Sequence, residues 1–144
     1  MKTRQNDDEN QPKAWSAGHS NKPYSELARL LKSVAIQTVV DCRTRPYSRW
    51  PQFGRERLAK LLEADGMVYE FRGLNIGGYD TNEAESETLD EIAERATNGE
   101  RIALLCSEGL PQNCHRGQTL APELEARGVA VEHLLYATPQ RPLL

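Results

Sequence analysis

Hydrophobic positions along the chain follow two different spacings in turn. Compact apolar runs have the length of buried β-strands, and they lie at residues 14–17, 36–40, 67–71, 101–105 and 129–135. Between these runs, apolar residues recur every three or four positions, which predicts amphipathic helices. The helical positions are Leu27, Leu30, Leu31 and Val34; Leu58, Leu61 and Leu62; and Leu89, Ile92, Ala93 and Ala96.

A further helix is predicted before the last strand, from about residue 114 to residue 127. Glycines mark helix ends in this pattern, since Gly66 follows the second helix and Gly128 follows the last. Pro23 stands near the start of the first helix, a position that tolerates the missing N–H of proline. Pro122 falls inside the last helix, so we expect that helix either to kink there or to begin later than residue 114.

Strands that alternate with helices require crossover connections, which are right-handed in nearly all proteins. We therefore expect an α/β fold of three layers, with a mainly parallel sheet of about five strands and helices on both of its faces. Residues 14–137 form a single domain in this interpretation, and residues 73–82 are a loop within it. Residues 1–13 are a polar, disordered tail, and residues 138–144 are a short C-terminal tail.

Composition argues against a membrane-embedded or wholly disordered chain. Of the 144 residues, 38% are hydrophobic and 27% are charged, and no apolar run reaches the roughly 20 residues that cross a bilayer. The polar first residues lack the apolar stretch of a secretory signal. We expect a cytoplasmic protein without a membrane partner, and the sequence leaves its oligomeric state open.

Charge is distributed unevenly along the chain. The net charge of −3 gives no general attraction to a long nucleic-acid duplex. Residues 43–57 nevertheless hold five arginines against one glutamate. Such a local basic patch suits a small anionic ligand or the end of a nucleic acid. Trp50 and Phe53 lie among these arginines, and their rings could either stack on a base or simply pack against a helix.

Chemically capable side chains follow several of the predicted strands. The carboxyl ends of parallel strands meet at one edge of a sheet, and ligands bind there. Distant parts of the chain therefore deliver candidate site residues to one place. In chain order these are Gly18, His19 and Ser20; Asp41, Cys42 and Arg43; Gly77 and Gly78; Cys106, Ser107 and Glu108; and Cys114, His115 and Arg116.

Thiols and imidazoles in this set predict the catalytic groups. Cys106 or Cys114 supplies a thiolate nucleophile. For Cys114 the thiolate is favoured, because the residue is predicted at the start of a helix beside His115 and Arg116, whereas Cys106 at a strand end could also be a buried core residue. His19 or His115 transfers protons. Cys42, in contrast, is interpreted as a core residue, since a reduced cysteine at an apolar strand end behaves as a small hydrophobe.

Substrate binding is assigned to the remaining polar residues of the same edge. Arg43 and Arg116 are predicted to grip a phosphate or carboxylate, because a guanidinium offers two parallel donors. Asp41 orients Arg43 or one of the histidines. The full predicted binding set is Gly18, Ser20, Asp41, Arg43, Arg49, Glu108 and Arg116.

These residues also carry a resemblance to a known family. The Gly-His-Ser element at residues 18–20, the Asp-x-Arg element that ends at Arg43, the Gly77-Gly78 pair and the Cys-His-Arg element at residues 114–116 resemble the family catalogued as Domain of Unknown Function 488. The resemblance extends over residues 14–135 and implies an α/β fold. It implies no particular reaction.

Several classes of site remain open. The leading hypothesis is an enzyme that acts on a phosphate-bearing, nucleotide-like or nucleic-acid-derived substrate. A non-catalytic binding module for the same ligands is one alternative, and a buried hydrogen-bonded network that only holds the loops together is another. A tyrosine-phosphatase loop in its strict form is excluded, because Gln112 occupies its arginine position. A structural zinc site is the last alternative, with Cys106, Cys114, His115 and His19 as permitted ligands, and no other cofactor is expected.

Overall fold

Five strands form one sheet in the computed structural model of the chain, which describes residues 11–43, 45, 50–77, 84–110 and 116–137. The strands are β1 (Lys13–Gly18), β2 (Thr38–Asp41), β3 (Val68–Phe71), β4 (Ile102–Cys106) and β5 (Ala130–His133). Every neighbouring pair is parallel, and the order across the sheet is β3-β2-β4-β1-β5. The predicted α/β class with a parallel five-stranded sheet is confirmed.

Helical segments connect the strands and cover the sheet. They are α1 (Tyr24–Ser33), α2 (Arg55–Ala64), the single turn α3 (Gly73–Ile76), α4 (Ser86–Thr97) and α5 (Ala121–Glu125), with a 3₁₀ turn at Pro51–Phe53 and a π-helical turn at Arg116–Leu120. The turn α3 occupies the start of the segment that the sequence predicts as a loop. In the part of the chain that the structure describes, no helix has both the length and the apolar content needed to span a bilayer.

Two apolar layers hold the helices on opposite faces of the sheet. On one face, Leu31 of α1 and Leu62 of α2 pack in a cluster that includes Val39 of β2. On the other face, Ile92 of α4 packs in a cluster that includes Val40, the next residue of β2. Because successive side chains of a strand point to opposite faces, this alternation assigns each residue of the sheet to the α1–α2 face or to the α4–α5 face.

Local signals account for most of the helix ends. Gly66 and Gly128 have φ angles of 83° and 86°, the left-handed conformation that ends a helix and that glycine adopts without strain. Pro122 is the second residue of α5, directly after the π-helical turn. Its missing N–H therefore falls in the first turn of α5, where no intrahelical bond is lost. Residues 111–115, where the sequence places the start of this helix, lie outside the described residues.

The limits of the sheet lie close to the predicted domain limits. Strand β1 begins at Lys13, one residue before the predicted start, and the Pro12 carbonyl accepts a hydrogen bond from the Ala130 N–H at 2.9 Å. Residues 12 and 13 therefore belong with the sheet. The rest of the predicted tails, residues 1–10 and 138–144, lies outside the described residues.

Strand register aligns the carboxyl ends of the sheet. Gly18 of β1 pairs with Cys106 of β4, and Asp41 of β2 pairs with both Leu105 of β4 and Phe71 of β3. The segment after β1 leads to α1 on one face, whereas the segment after β4 leads to α5 on the other. Neighbouring strands whose connections leave toward opposite faces are where an α/β sheet binds its ligands.

We expect that position 73 cannot accept even the methyl side chain of alanine. A Cβ atom at this position would lie 1.9 Å from the Arg43 carbonyl oxygen and 2.7 Å from a ring carbon of Phe71. We expect Gly73→Ala to lower the free energy of unfolding by about 3 kcal/mol, because backbone and a packed ring must both move. Chemical denaturation of the purified variant measures this.

Gly54→Ala is the matched control, since its added methyl would meet only the Pro51 carbonyl oxygen, at 3.5 Å. We expect a loss of no more than about 1 kcal/mol there, from weaker capping of α2. Equal losses in the two variants would contradict the packing of α3 against the end of β2.

Candidate functional site

A buried ion pair joins Asp41, the last residue of β2, to Arg43. The guanidinium donates from Nε to Asp41 Oδ1 at 2.9 Å and from Nη2 to Oδ2 at 2.7 Å. The Arg43 backbone N–H adds a bond to Oδ1 at 3.0 Å. Only 2% of the Arg43 side chain and 0% of the Asp41 side chain are exposed. Two charges removed from water need complete pairing, so this geometry fixes the path of the chain after β2.

Two further hydrogen bonds connect the ion pair to its surroundings. The Tyr69 hydroxyl of β3 donates to Asp41 Oδ2 at 2.5 Å, and Arg43 Nη1 donates to the Phe53 carbonyl at 2.6 Å. Burial and the nearby Asp41 carboxylate raise the pKa of Tyr69, so its phenol remains a donor. Arg43 directs its donors into the protein. It therefore braces the 3₁₀ turn, and its predicted contact with an anion stays a prediction.

His19 follows β1 directly and is held on two sides. Its ring stacks on the Phe53 ring, with centroids 4.4 Å apart and planes inclined by 21°. Nδ1 lies 2.8 Å from the Ser20 carbonyl oxygen, and because a carbonyl can only accept, Nδ1 carries the proton. The lone pair is then on Nε2, a buried atom without a hydrogen-bond partner among the described residues.

Burial determines the charge state of this imidazole. Loss of solvation lowers the pKa of His19 from 6.5 to about 4, and the positive charge of Arg43 adds to the lowering, against the raising effects of the Ser20 carbonyl and Asp41. His19 is therefore neutral at pH 7. A neutral imidazole that donates from Nδ1 presents Nε2 as a fixed proton acceptor.

Cys106 ends β4 on the opposite face of the sheet from His19. Leu105 packs in the α1–α2 cluster and Leu104 in the α4–α5 cluster, so alternation places Cys106 on the α4–α5 face. The thiol is 7% exposed, and Sγ lies 3.8 Å from the Glu108 carbonyl oxygen. Cys106 and His19 therefore lie at the same edge of the sheet but on opposite faces.

Sequence reasoning missed a second polar pair, on the same face as Cys106. Ser16 of β1 is the register partner of His133 of β5, and Ser16 Oγ lies 2.5 Å from His133 Nδ1. Ser16 is fully buried. Ser16 stands among the apolar residues Ala14, Trp15 and Ala17, which is visible in the sequence, but only the pairing of β1 with β5 shows that it meets His133.

The aromatic residues of the basic segment have different environments. Phe53 is fully buried and stacks on His19, so of its two predicted roles the structure favours packing over stacking on a nucleic-acid base. Trp50 is 38% exposed and remains accessible. Tyr69 was not among the predicted site residues, yet its hydroxyl donates to Asp41. This contact follows from the pairing of β3 with β2, which the sequence alone does not show.

The predicted site residues fall into three groups in the structure. At or directly beyond the carboxyl edge lie Gly18, His19, Ser20, Asp41, Arg43 and Cys106, with the exposed Glu108 two residues further on. Arg49, Cys114 and His115 lie outside the described residues. Arg116 begins the π-helical turn, and its side chain is outside the description as well.

The predicted zinc site requires at least three clustered ligands. Among the residues that the structure describes, no group of three or more His, Cys, Asp and Glu side chains is placed to hold a metal ion. His19 and Cys106 point to opposite faces, which separates two of the predicted ligands.

Comparison with known proteins returns one match. The sequence model of the family described as "Domain of unknown function DUF488" matches residues 23–121, from the residue before α1 to the first residue of α5. No curated protein and no solved structure matches the chain.

Breaking the Asp41–Arg43 pair should destabilise the protein strongly. We expect Arg43→Met to lower the free energy of unfolding by about 3–5 kcal/mol, because it leaves the Asp41 carboxylate buried without its cation. Adding Asp41→Asn to that variant should restore part of the loss, since no charge is then buried and Tyr69 keeps an acceptor. Denaturant titration measures both variants.

Lys32→Met is the control for this comparison, since it breaks an ion pair with Asp65 in which the Lys32 side chain is 55% exposed. Its effect should be far smaller, because water screens and replaces the exposed partner. A loss in Arg43→Met no larger than that in Lys32→Met would contradict the structural role of the buried pair.

His19 should make stability depend on pH in a defined window. The pKa of His19 is about 4 in the folded protein and 6.5 as a reference, so between these values the unfolded chain binds a proton that the folded chain does not. Stability is complete above pH 6.5 and falls toward pH 4, by up to about 3 kcal/mol.

Comparison with His19→Asn isolates this contribution, because asparagine can still donate to the Ser20 carbonyl and does not titrate. The difference in unfolding free energy between the two proteins should change across pH 4–6.5 in the direction that weakens the wild type in acid. A constant difference would show that His19 titrates alike in both states.

Proposed function

We propose that this chain, which belongs to the family described as domain of unknown function DUF488, is an enzyme for a phosphate-bearing substrate. In this proposal the substrate, nucleotide-like or derived from nucleic acid, lies over the carboxyl edge where β1 meets β4. His19 then accepts a proton through Nε2. The observation that carries the proposal is this buried Nε2 atom, which has no hydrogen-bond partner among the described residues.

An unsatisfied buried acceptor is unfavourable, and such atoms in folded proteins call for an explanation. At His19 everything else about the ring is fixed: Phe53 sets its plane and the Ser20 carbonyl sets its tautomer. The ring plane and the tautomer need no change when substrate arrives, although a group next to the buried Nε2 atom has to move to admit the donor. The arrangement therefore favours transfer of a proton from a water or a substrate hydroxyl to Nε2.

An anionic substrate would strengthen His19 as a base. In the free protein the pKa of about 4 reflects burial first and the positive charge of Arg43 as a further lowering effect. A phosphate near the ring opposes the charge of Arg43 and stabilises the imidazolium, so the pKa of His19 rises when substrate binds. A general base works best with a pKa near the working pH.

In this proposal the basic segment at residues 43–57 attracts the anion, and its residue Arg45 is exposed. Arg43 affects the site indirectly, through its positive charge and through its hydrogen bond to the Phe53 carbonyl, since the Phe53 ring supports His19. Cys106 faces the other side of the sheet, so the base in this proposal activates a water or hydroxyl rather than that thiol. The reaction class is hydrolysis or transfer at the phosphate-bearing group.

The proposal predicts a ligand-dependent titration of His19. We expect the pKa of the His19 ring, followed by NMR, to rise by about one unit or more on saturation with inorganic phosphate or a nucleoside monophosphate. Arg45→Gln should weaken this binding more than Arg29→Gln, an equal change of charge on the outer surface of α1. Hydrolysis of phosphate esters should fall by about 100-fold or more in His19→Asn.

A non-catalytic binding module would show the same pKa rise without turnover of any ester. An unchanged His19 pKa at millimolar phosphate and nucleotide, together with equal behaviour of the two arginine variants, would overturn the anion site itself.

A further inference from the structure

Cys42 and Cys106 lie at the same height on neighbouring strands. Asp41 of β2 is the register partner of Leu105 of β4. The Cys42 backbone N–H donates to the Leu105 carbonyl at 2.9 Å, and this bond continues the parallel ladder by one residue. Cys42 therefore lies opposite Cys106, although the two residues are 64 positions apart along the chain.

Both side chains belong to the α4–α5 face. Cys42 packs in one cluster with Val40 and Leu104, and Cys106 lies two residues beyond Leu104 on β4. Adjacent strands are about 4.7–4.9 Å apart. This separation is inside the range of about 4.4–6.8 Å between the Cα atoms of disulfide-bonded cysteines.

Both cysteines are reduced in the structure, and each sulfur contacts a backbone carbonyl oxygen. Cys42 Sγ lies 3.5 Å from the Val40 carbonyl oxygen, and Cys106 Sγ lies 3.8 Å from the Glu108 carbonyl oxygen. The first contact points back along β2 and the second points beyond the end of β4. Rotation of both side chains about their Cα–Cβ bonds would bring the sulfurs together without changing the strand register.

We propose that Cys42 and Cys106 form a reversible disulfide in response to a hydroperoxide, and that this bond is an oxidation switch at the carboxyl edge. Both cysteines are nearly buried, at 5% and 7% exposure, so a small oxidant suits the site better than a protein thiol. A dithiol reductant can reverse such a bond by thiol–disulfide exchange.

The reaction takes two steps whose atoms balance. The Cys106 thiol first releases its proton. The thiolate then attacks one peroxide oxygen, the O–O bond breaks, and a sulfenic acid forms while the departing hydroxide or alkoxide takes up the released proton. The Cys42 thiol then attacks the Cys106 sulfur, the S–O bond breaks, and water leaves with the Cys42 proton. Two electrons pass from the thiols to the peroxide, and a dithiol reductant reverses the change.

The switch would act on the Asp41–Arg43 pair because Cys42 lies between these two residues. Tying Cys42 to β4 restrains the backbone on which the ion pair is built, and through Phe53 that pair positions His19. Oxidation should therefore shift the NMR signals of the His19 ring. This inference stands on strand register and does not require the proposed enzymatic function.

A chain with Cys114→Ser gives the cleanest test, because Cys42 and Cys106 are then its only cysteines. After treatment with hydrogen peroxide, we expect titratable thiols to fall from two to none, with a mass loss of two hydrogens and a monomer on a non-reducing gel. A dithiol reductant should restore both thiols. With Cys42→Val added, Cys106 should gain oxygen atoms instead, because no resolving thiol remains.

Peptide mapping of the oxidised wild-type chain covers the case in which Cys114→Ser fails to fold. A linked pair of peptides containing Cys42 and Cys106 supports the proposal. A Cys106–Cys114 link, disulfide-linked dimers, or persistence of both thiols while oxygen is added elsewhere would overturn it. Because the readouts are thiols and mass, a failure here is distinct from a failure of phosphate binding at His19.

Discussion

The buried ion pair of Asp41 and Arg43 organises the carboxyl edge of the sheet. Asp41 ends the strand next to β4, and its carboxylate accepts bonds from Arg43 and from Tyr69 of β3. Arg43 extends the connection to the Phe53 carbonyl, and the Phe53 ring supports His19 beside β1. One pair of charges thus links two strands, a 3₁₀ turn and the candidate base. Gly73 completes the arrangement, since only a residue without Cβ fits against the Arg43 carbonyl.

The main effect of this buried ion pair is to position its neighbours; its net contribution to the free energy of unfolding is small. Desolvation of two charges offsets most of their attraction, and well-packed apolar residues often hold a core as well. Apolar residues would not direct a guanidinium donor at the Phe53 carbonyl, nor would they place a positive charge near His19. The first effect supports the imidazole ring. Burial is the main cause of the low pKa of His19, and the charge of Arg43 adds to the lowering while that of Asp41 opposes it. The ion pair therefore serves the geometry of the site.

Strand alternation divides the chemistry of this edge between the two faces. His19, Asp41 and Arg43 belong to the α1–α2 side, whereas Cys42 and Cys106 belong to the α4–α5 side. The sequence places all of these residues at one edge but treats them as a single set. The structure separates a proton acceptor from a pair of thiols, and it joins them through the backbone at residues 41–43 and through the His19 N–H, which donates to the Cys106 carbonyl at 3.0 Å. Through these backbone links, oxidation of one face could affect the other.

The sequence by itself determined the elements and the edge at which polar residues gather. Periodicity places β2 and α4, and the left-handed glycines at Gly66 and Gly128 end helices where the pattern predicts, because these signals depend on neighbours within a few residues. Strand order was decided only by the tertiary structure, which inserts β4 between β1 and β2. The contacts of Tyr69 with Asp41 and of Ser16 with His133, and the facing of Cys42 and Cys106, follow from that order. Pairing between strands is set by packing across the whole sheet, and no local pattern encodes it.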